Sequence, residues 1–133
     1  SNHAEEQKMQ VPTLHMYPND DAMLTDLSGR INELMRDLQC KQKDIAVISF
    51  EGKWLSAEGI NLLEAKTGKK FHLLDCCNQL DTEKYTLASP YAINGLEFQA
   101  VILLGADEGR LPQTAGTGDI SHHFLLLNLV IIL

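Results

Sequence analysis

Two short apolar runs constrain the fold of this 133-residue chain more than any other feature of its sequence. Residues 45–50 read IAVISF, and Ala100–Leu104 reads AVILL. Both runs lack polar alternation, and both are too short to be independent helices. Such runs are typical of strands in parallel sheets, which other elements cover on both faces. We therefore expect two buried strands, with helices flanking the sheet that they form.

Helical periodicity appears on either side of the first run. Between residues 21 and 39, apolar residues recur at steps of three and four, which predicts one amphipathic helix with a stripe facing a sheet. These residues are Met23, Leu24, Leu27, Ile31, Leu34, Met35 and Leu38. Asn19 or Asp20 can cap the start of this helix. A second helix is predicted after Ser56, and Gly68 is expected to end it. Its apolar residues are Ala57, Ile60, Leu62, Leu63 and Ala65.

Three further strands are predicted at residues 11–17, 71–74 and 85–88. Strands that alternate with helices predict an α/β fold, with a mainly parallel sheet and right-handed crossovers. The length fits one domain, which we place at residues 10–133. Residues 1–9 are expected to be a protease-cleavage remnant followed by a disordered N-terminus, and they show no signal peptide.

Composition limits the functions that this domain can have. Hydrophobic residues make up 44% of the chain and charged residues 22%, as in soluble globular proteins. The net charge of −7 argues against a free-standing nucleic-acid binder, although an acidic domain can form one wall of a larger site. Cys40, Cys76 and Cys77 lack zinc-site spacing and are expected to be free thiols in the cytoplasm.

The most specific motif is the segment at residues 89–112, SPYAINGLEFQAVILLGADEGRLP. It resembles the motif of UvrD/Rep-like superfamily 1 DNA helicases in their second RecA-like domain, roughly T-x-H-x-x-K-G-L-E-F, an apolar strand, then G-x-x-E-G-x-x-P. The matching residues are Gly95, Leu96, Glu97, Phe98, Gly105, Glu108, Gly109 and Pro112. The departures are Ser89 for Thr, Tyr91 for His and Asn94 for Lys. The resemblance is specific at residues 85–112 and only architectural before them.

Glu97 is the best candidate for a nucleotide contact. We place it after a glycine turn at the carboxyl end of a strand, where open α/β sheets bind ligands. Its carboxylate could accept hydrogen bonds from ribose hydroxyls, and the resemblance implies that Gly95 and Glu97 face ATP. The alternative is an exposed turn glutamate paired with a lysine. In the resembled family a basic residue is common near the end of the preceding apolar strand, where this chain has Ser49, Phe50 and Glu51.

Ser89, Tyr91 and Asn94 are candidates for nucleic-acid binding. The resemblance implies that the positions of Ser89 and Tyr91 hold the phosphate backbone of single-stranded DNA. Tyr91 could donate to phosphate or stack on a base for about 1–3 kcal/mol, but it cannot supply the charge of a protonated histidine. Asn94 removes a cation that would neutralise phosphate. Binding of single-stranded DNA by this chain alone is therefore expected to be weak and to vanish near physiological salt.

Other candidate sites are set aside. The sequence around Gly68 lacks the full phosphate-loop pattern, so a helix cap is expected there. Adjacent His122 and His123 lack further ligands at metal-site spacing, and we expect no metal site. Trp54 could stack on adenine or a DNA base, but it is expected to hold a helix start against the sheet.

The resemblance implies a C-terminal domain of a UvrD-like ATP-dependent DNA helicase. ATP and Mg²⁺ would lie between it and the first RecA-like domain of the full-length parent. No catalytic residue is assigned, and the chain alone is expected to be inactive, without a bound cofactor. The alternative is a non-catalytic interaction domain that kept the fold and lost its chemistry. A Rossmann-like small-molecule binder is disfavoured because no glycine-rich loop follows the first strand.

Residues 124–133 form an apolar run interrupted only by Asn128. Ten residues are too few to span a bilayer, which needs about 20, so no membrane partner is expected. The run reads as a buried element at which the domain is cut. It must dock on the chain's own sheet or pair with another copy, and the second alternative predicts a homo-oligomer through this run.

Overall fold

The computed structural model describes residues 17–75, 78–92, 97–105 and 130–132. Two helices and five strands lie in these ranges, together with short 3₁₀ turns at Gln42–Asp44 and Gly52–Leu55. The helices are α1 (Asp20–Leu38) and α2 (Ala57–Thr67). The strands are β1 (Ile45–Ser49), β2 (Phe71–Leu73), β3 (Tyr85–Ala88), β4 (Ala100–Leu104) and β5 (Val130–Ile132).

The strands form one sheet in the order β2-β3-β1-β4-β5, and every neighbouring pair is parallel. Val47 in β1 lies opposite Leu87 in β3 and Ile102 in β4. The predicted α/β fold with a parallel sheet is therefore confirmed, and the two apolar runs are its central, fully buried strands. The strand predicted at residues 11–17 lies outside the described residues, except for Tyr17, which is not in a strand.

Both helices begin and end where local chemistry allows. The Asn19 side chain accepts a hydrogen bond from the backbone N–H of Ala22 at 2.8 Å and so caps α1. Ser56 caps α2 in the same way, accepting from Gly59 N–H at 3.1 Å. Gly68 ends α2 in the left-handed conformation at φ 71°, as expected for a helix C-cap. The sequence-based caps are thus confirmed.

One face of the sheet, which we call the first face, is covered by α1 and α2. In β1, Ile45 and Val47 belong to this face, and every second residue of the neighbouring strands does so too. The buried cluster here is Met23, Leu24, Leu27, Ile31, Leu34, Ile45, Val47, Trp54, Leu63, Phe71, Tyr85, Leu87, Ala100, Ile102 and Leu104. Burying side chains of this size contributes about 1.5–3 kcal/mol each, so this face holds most of the described core.

The opposite, second face is covered differently. Its buried cluster is Ala46, Ile48, Leu74, Ala88, Phe98, Val101 and Leu103, with Phe50, Leu80 and Ala92 packed against it. In the described part of the chain, the residues that cover these strands come from connections rather than helices. The expected helices lie on the first face, and residues 106–129, which connect β4 to β5, lie outside the described ranges.

Topology explains this asymmetry. The chain moves from β1 to β2 in one direction through α2 on the first face, and from β3 to β4 in the opposite direction. A connection that reverses direction keeps the right-handed crossover only if it crosses the other face. Ala92 and Phe98, which lie in the β3–β4 connection, accordingly pack on the second face.

The last described element comes from the apolar run at residues 124–133. Val130–Ile132 forms β5, which pairs with β4 in register Val101 to Val130. Three residues of the run thus extend the chain's own sheet, the first of the two alternatives considered for it. A homo-oligomer through the run stays a prediction. None of the helices in the described ranges has the length and apolar character needed to cross a membrane.

Candidate functional site

The topology creates a crevice at the carboxyl ends of β1 and β3. The connection after β1 crosses the first face and the connection after β3 crosses the second, although the two strands are neighbours. Connections that diverge in this way leave an opening at the strand ends, where open α/β sheets bind ligands. The edge where Ser49, Ala88 and Leu104 end their strands, which we call the carboxyl edge, is the candidate site.

A tight turn closes the end of β1. The Ser49 hydroxyl donates to the backbone carbonyl of Glu51 at 2.7 Å and accepts from its N–H at 3.1 Å. The N–H of Phe50 donates to the carbonyl of Leu104 at 3.0 Å and ties this turn to β4. The buried hydroxyl of Ser49 is thereby satisfied by the turn itself.

The carboxylate of Glu51 lies over the end of β4. Gly105 follows β4 at φ 75°, and a Cβ built there would lie 2.5 Å from Glu51 Oε1. Only glycine combines this backbone conformation with so close a neighbour. The carboxyl edge therefore carries the carboxylate of Glu51. The sequence placed Glu51 near the end of this strand, but it did not predict the contact with Gly105, which lies 54 positions further along the chain.

A second turn follows β3 and presents Tyr91. The carbonyl of Ser89 accepts a hydrogen bond from the N–H of Ala92 at 3.2 Å, so residues 89–92 form a β-turn with Pro90 in its second position. Ala92 packs against the second face. Tyr91 is 88% exposed, and Ser89 is half-buried beside it. These two predicted site residues thus share one turn at the carboxyl edge.

Glu97 lies at the other end of the same connection. It is exposed, and it precedes Phe98, which is 3% exposed within the second-face cluster. The N–H of Gln99 donates to the carbonyl of Asp44 at 2.8 Å, so the chain enters β4 beside the residue that precedes β1. Glu97 therefore comes just before a strand rather than directly after one, and no described contact joins it to Ser89 or Tyr91. Asn94 and Gly95 lie outside the described residues.

Trp54 does not belong to the binding surface. Its side chain is 1% exposed within the first-face cluster, so no base can stack on it. Lys53 lies over its ring at 5.0 Å and forms an ion pair with Asp20 at 2.8 Å. The expectation that Trp54 holds a helix start is consistent with Gly59 of α2, where a Cβ would collide with the backbone of Lys53.

The lysines after α2 have structural partners. Lys69 donates to the side-chain carbonyl of Asn32 at 2.6 Å, and Lys70 approaches Glu64 at 3.8 Å. Gly68 ends the helix, so this stretch is a cap, as expected, and not a phosphate loop.

The described part of the chain also contains an open groove of about 570 Å³ away from the carboxyl edge. It lies where the chain approaches β1 and β3, and its lining mixes both signs of charge. The lining residues are Met35, Lys41, Gln42, Lys43, Thr82 and Glu83. The polar side chains of this groove do not indicate a particular class of ligand.

In the described ranges we find neither a metal-binding cluster nor an activated thiol. No cluster of three or more His, Cys, Asp or Glu side chains there could hold a metal ion. His122, His123, Cys76 and Cys77 lie outside these ranges. Cys40 is a half-buried free thiol, and burial, followed by the charge of Asp44, raises its pKa. A raised pKa lowers the thiolate fraction and so makes Cys40 a poor nucleophile.

Comparison with known proteins gives a likeness in fold to a solved structure. No family model matches the chain, and no curated protein matches it. The crystal structure of the C-terminal domain of a possible DNA helicase from Lactobacillus plantarum WCFS1 is similar, with a TM-score of 0.67 and 17% identity. The match covers 92% of this chain and 73% of that one. At this identity the likeness establishes a shared fold over nearly the whole chain.

Proposed function

We propose that this chain is the second RecA-like domain of a UvrD-like ATP-dependent DNA helicase, in which it forms one wall of the ATP cleft and part of the single-stranded DNA path. The observation that carries the proposal is the position of the helicase-like motif within a helicase-like fold. The described part of the motif runs from the turn after β3, with Ser89 and Tyr91, through Glu97 and β4 to Gly105. The likeness to the C-terminal domain of a possible DNA helicase is a second support, because it comes from the fold over 92% of the chain and holds at only 17% sequence identity.

On the nucleotide side, Gly95 and Glu97 are the proposed contacts. The exposed carboxylate of Glu97 is free to accept hydrogen bonds from ribose hydroxyls, and its backbone is fixed by buried Phe98. Phosphoryl transfer also needs a phosphate cradle and Mg²⁺ ligands. The first RecA-like domain of the parent would supply these groups, so this chain by itself should show no ATP turnover.

On the DNA side, Ser89, Tyr91 and Asn94 are the proposed contacts. The turn that carries Ser89 and Tyr91 lies at the divergence of two connections, where ligands of open sheets bind. Glu51 at the same edge repels phosphate, which is consistent with weak binding by the chain alone.

A non-catalytic interaction domain is the second candidate. The specific observation in its favour is the Glu51 carboxylate over Gly105, since it places negative charge where a phosphate-binding domain benefits from a cation. On this view Tyr91 would contact a protein rather than a nucleotide.

Two-dimensional ¹H–¹⁵N NMR titrations distinguish the candidates, because chemical shifts respond even to millimolar affinities. We expect an oligothymidylate at low salt to perturb Ser89, Tyr91 and Asn94, and ATP with Mg²⁺ to perturb Gly95 and Glu97. Glu97→Ala, which removes the proposed acceptor of the ribose hydroxyls, should weaken the second response and leave the first. Leu62→Ala, on the exposed side of α2, is the matched control.

The helicase proposal fails if neither ligand shifts these resonances at millimolar concentration. Oligothymidylate perturbations confined to the groove near Lys41 would contradict the DNA part of the proposal, because that groove lies where the chain approaches β1 and β3, whereas Ser89 and Tyr91 follow β3.

A further inference from the structure

Tyr91 is unusual among the described residues because it exposes a large aromatic ring. It is 88% exposed, and the other large hydrophobic side chain that is prominently exposed, Leu62 at 45%, lies on α2. Helix α2 covers the first face, whereas the turn with Tyr91 joins the connection over the second. The two side chains therefore do not form one apolar patch, and Tyr91 needs an explanation of its own.

The ring is presented on an anchored turn. Ala88, which ends β3, is fully buried, and Ala92 packs against the second-face cluster. The hydrogen bond from Ala92 N–H to the Ser89 carbonyl closes the turn between them, and the ring of Pro90 fixes its own φ. A ligand that contacts Tyr91 therefore orders little backbone on binding, so less of the contact energy is lost to entropy.

The charges around the turn favour stacking over phosphate binding. Glu51 after β1 and Asp75 after β2 place carboxylates at the carboxyl edge. The cation that follows β1, Lys53, is held by Asp20 at 2.8 Å and by the Trp54 ring. An aromatic face does not depend on charge, because every base has a π-face on which it can stack.

We propose that Tyr91 is a base-stacking platform for an unpaired nucleobase of single-stranded DNA, and that stacking rather than phosphate neutralisation supplies the affinity of this site. The inference rests on the proposed function and adds the chemistry of the contact. It replaces the sequence-based expectation that binding vanishes near physiological salt with a shallow dependence on salt. Even one phosphate contact would weaken binding only about threefold between 50 and 200 mM salt, whereas multi-lysine sites lose orders of magnitude.

The test compares a labelled oligothymidylate with an abasic oligonucleotide of the same length, which keeps the phosphates and lacks the bases. Fluorescence anisotropy at 50 and 200 mM salt should show binding to the first and little to the second. Tyr91→Ala should weaken oligothymidylate binding about fivefold to 150-fold, the ratio that corresponds to one stacked base. Tyr91→Phe keeps the ring and should retain the affinity.

Two controls separate stacking from other effects. Leu62→Ala removes an exposed apolar side chain from α2 and should leave binding unchanged. Thermal melting of each variant checks that the fold is intact.

The outcomes separate this inference from the proposed function. Equal binding to both oligonucleotides, or an unchanged affinity in Tyr91→Ala, would overturn the stacking role and leave a phosphate-binding helicase domain standing. Absence of binding to either oligonucleotide would overturn the stacking role together with the DNA part of the proposed function.

Discussion

In the described part of the chain, the two faces of the sheet are covered by different means. The first face is covered by two capped helices and carries large buried side chains from α1, α2 and four strands. The second face presents smaller strand residues, such as Ala46 and Ala88, and its described cover comes from connections that also carry Tyr91 and Glu97. Among the described residues, the helices thus support the first face, and the connection that carries Tyr91 and Glu97 packs on the second.

This difference has a physical reason. A helix satisfies its own backbone hydrogen bonds and can bury a continuous apolar stripe, so it stabilises the face that it covers. A connection follows a path set by the strands that it joins, and its exposed polar or aromatic side chains are free to meet ligands. The molecule therefore permits changes in the β3–β4 connection with little effect on the helix-covered core.

The largest expected effect follows from removing a first-face side chain. Leu27 in α1 is fully buried, and Leu27→Ala should lower the free energy of unfolding by about 2–5 kcal/mol because it leaves a cavity. Leu62→Ala should cost less than about 0.5 kcal/mol, since Leu62 is an exposed residue on α2. Urea denaturation followed by circular dichroism measures both. Equal losses would refute the burial of Leu27 in the first-face core.

A smaller effect is expected at two glycines in the left-handed conformation. Gly68→Ala and Gly105→Ala should each cost about 1–2 kcal/mol for the backbone, and only Gly105→Ala also displaces the Glu51 carboxylate. Gly105→Ala should therefore be the more destabilising substitution. Adding Glu51→Ala to Gly105→Ala should remove the extra loss of stability that comes from displacing the carboxylate. The backbone cost of the alanine should remain. A double variant no better than Gly105→Ala would contradict the packing of Glu51 over β4.

The free energy of unfolding is expected to depend on pH through Tyr17, which lies just before α1. Tyr17 donates a hydrogen bond to Asp26, and burial, followed by this hydrogen bond and the charge of Asp26, raises the Tyr17 pKa to about 12. The unfolded chain loses this proton near pH 10 while the folded chain keeps it. The stabilisation is therefore complete below pH 10 and is lost as pH rises towards 12.

The measurement is urea denaturation at pH 9 and pH 11. Tyr17→Phe removes the titrating group, so its stability should fall less between the two pH values, and at pH 9 it should be lower than wild type by about 0.5–1.5 kcal/mol for one hydrogen bond. The same fall with pH in both proteins would show that Tyr17 does not contribute. Burial also raises the pKa of Tyr85, but this residue is present in both proteins, so it does not affect the comparison between them.

The smallest effect on stability is expected at the β3–β4 turn. Tyr91→Ala removes an exposed side chain and should change the free energy of unfolding by less than about 0.5 kcal/mol. A loss of several kcal/mol in the same denaturation assay would mean that Tyr91 supports the fold, and the separation of function from stability would fail.

Local pattern was sufficient to predict most of the described elements. The repeat of Leu24, Leu27 and Ile31 predicts α1, and the apolar runs predict β1 and β4 to within a residue at each end. Asn19, Ser56 and Gly68 were identified as caps because capping chemistry acts over three or four residues. The motif at residues 89–112 also located the turn with Ser89 and Tyr91, although the contacts of Asn94 and Gly95 stay predictions.

The sequence by itself determined the α/β class, the central strands, the helix boundaries and the residues that carry candidate chemistry, because each depends on periodicity or on neighbours within a few positions. Tertiary structure alone decided that α1 and α2 share the first face and that Glu51 lies over Gly105. These facts depend on strand order and crossover hand, which join residues tens of positions apart, and no local pattern in the chain encodes them.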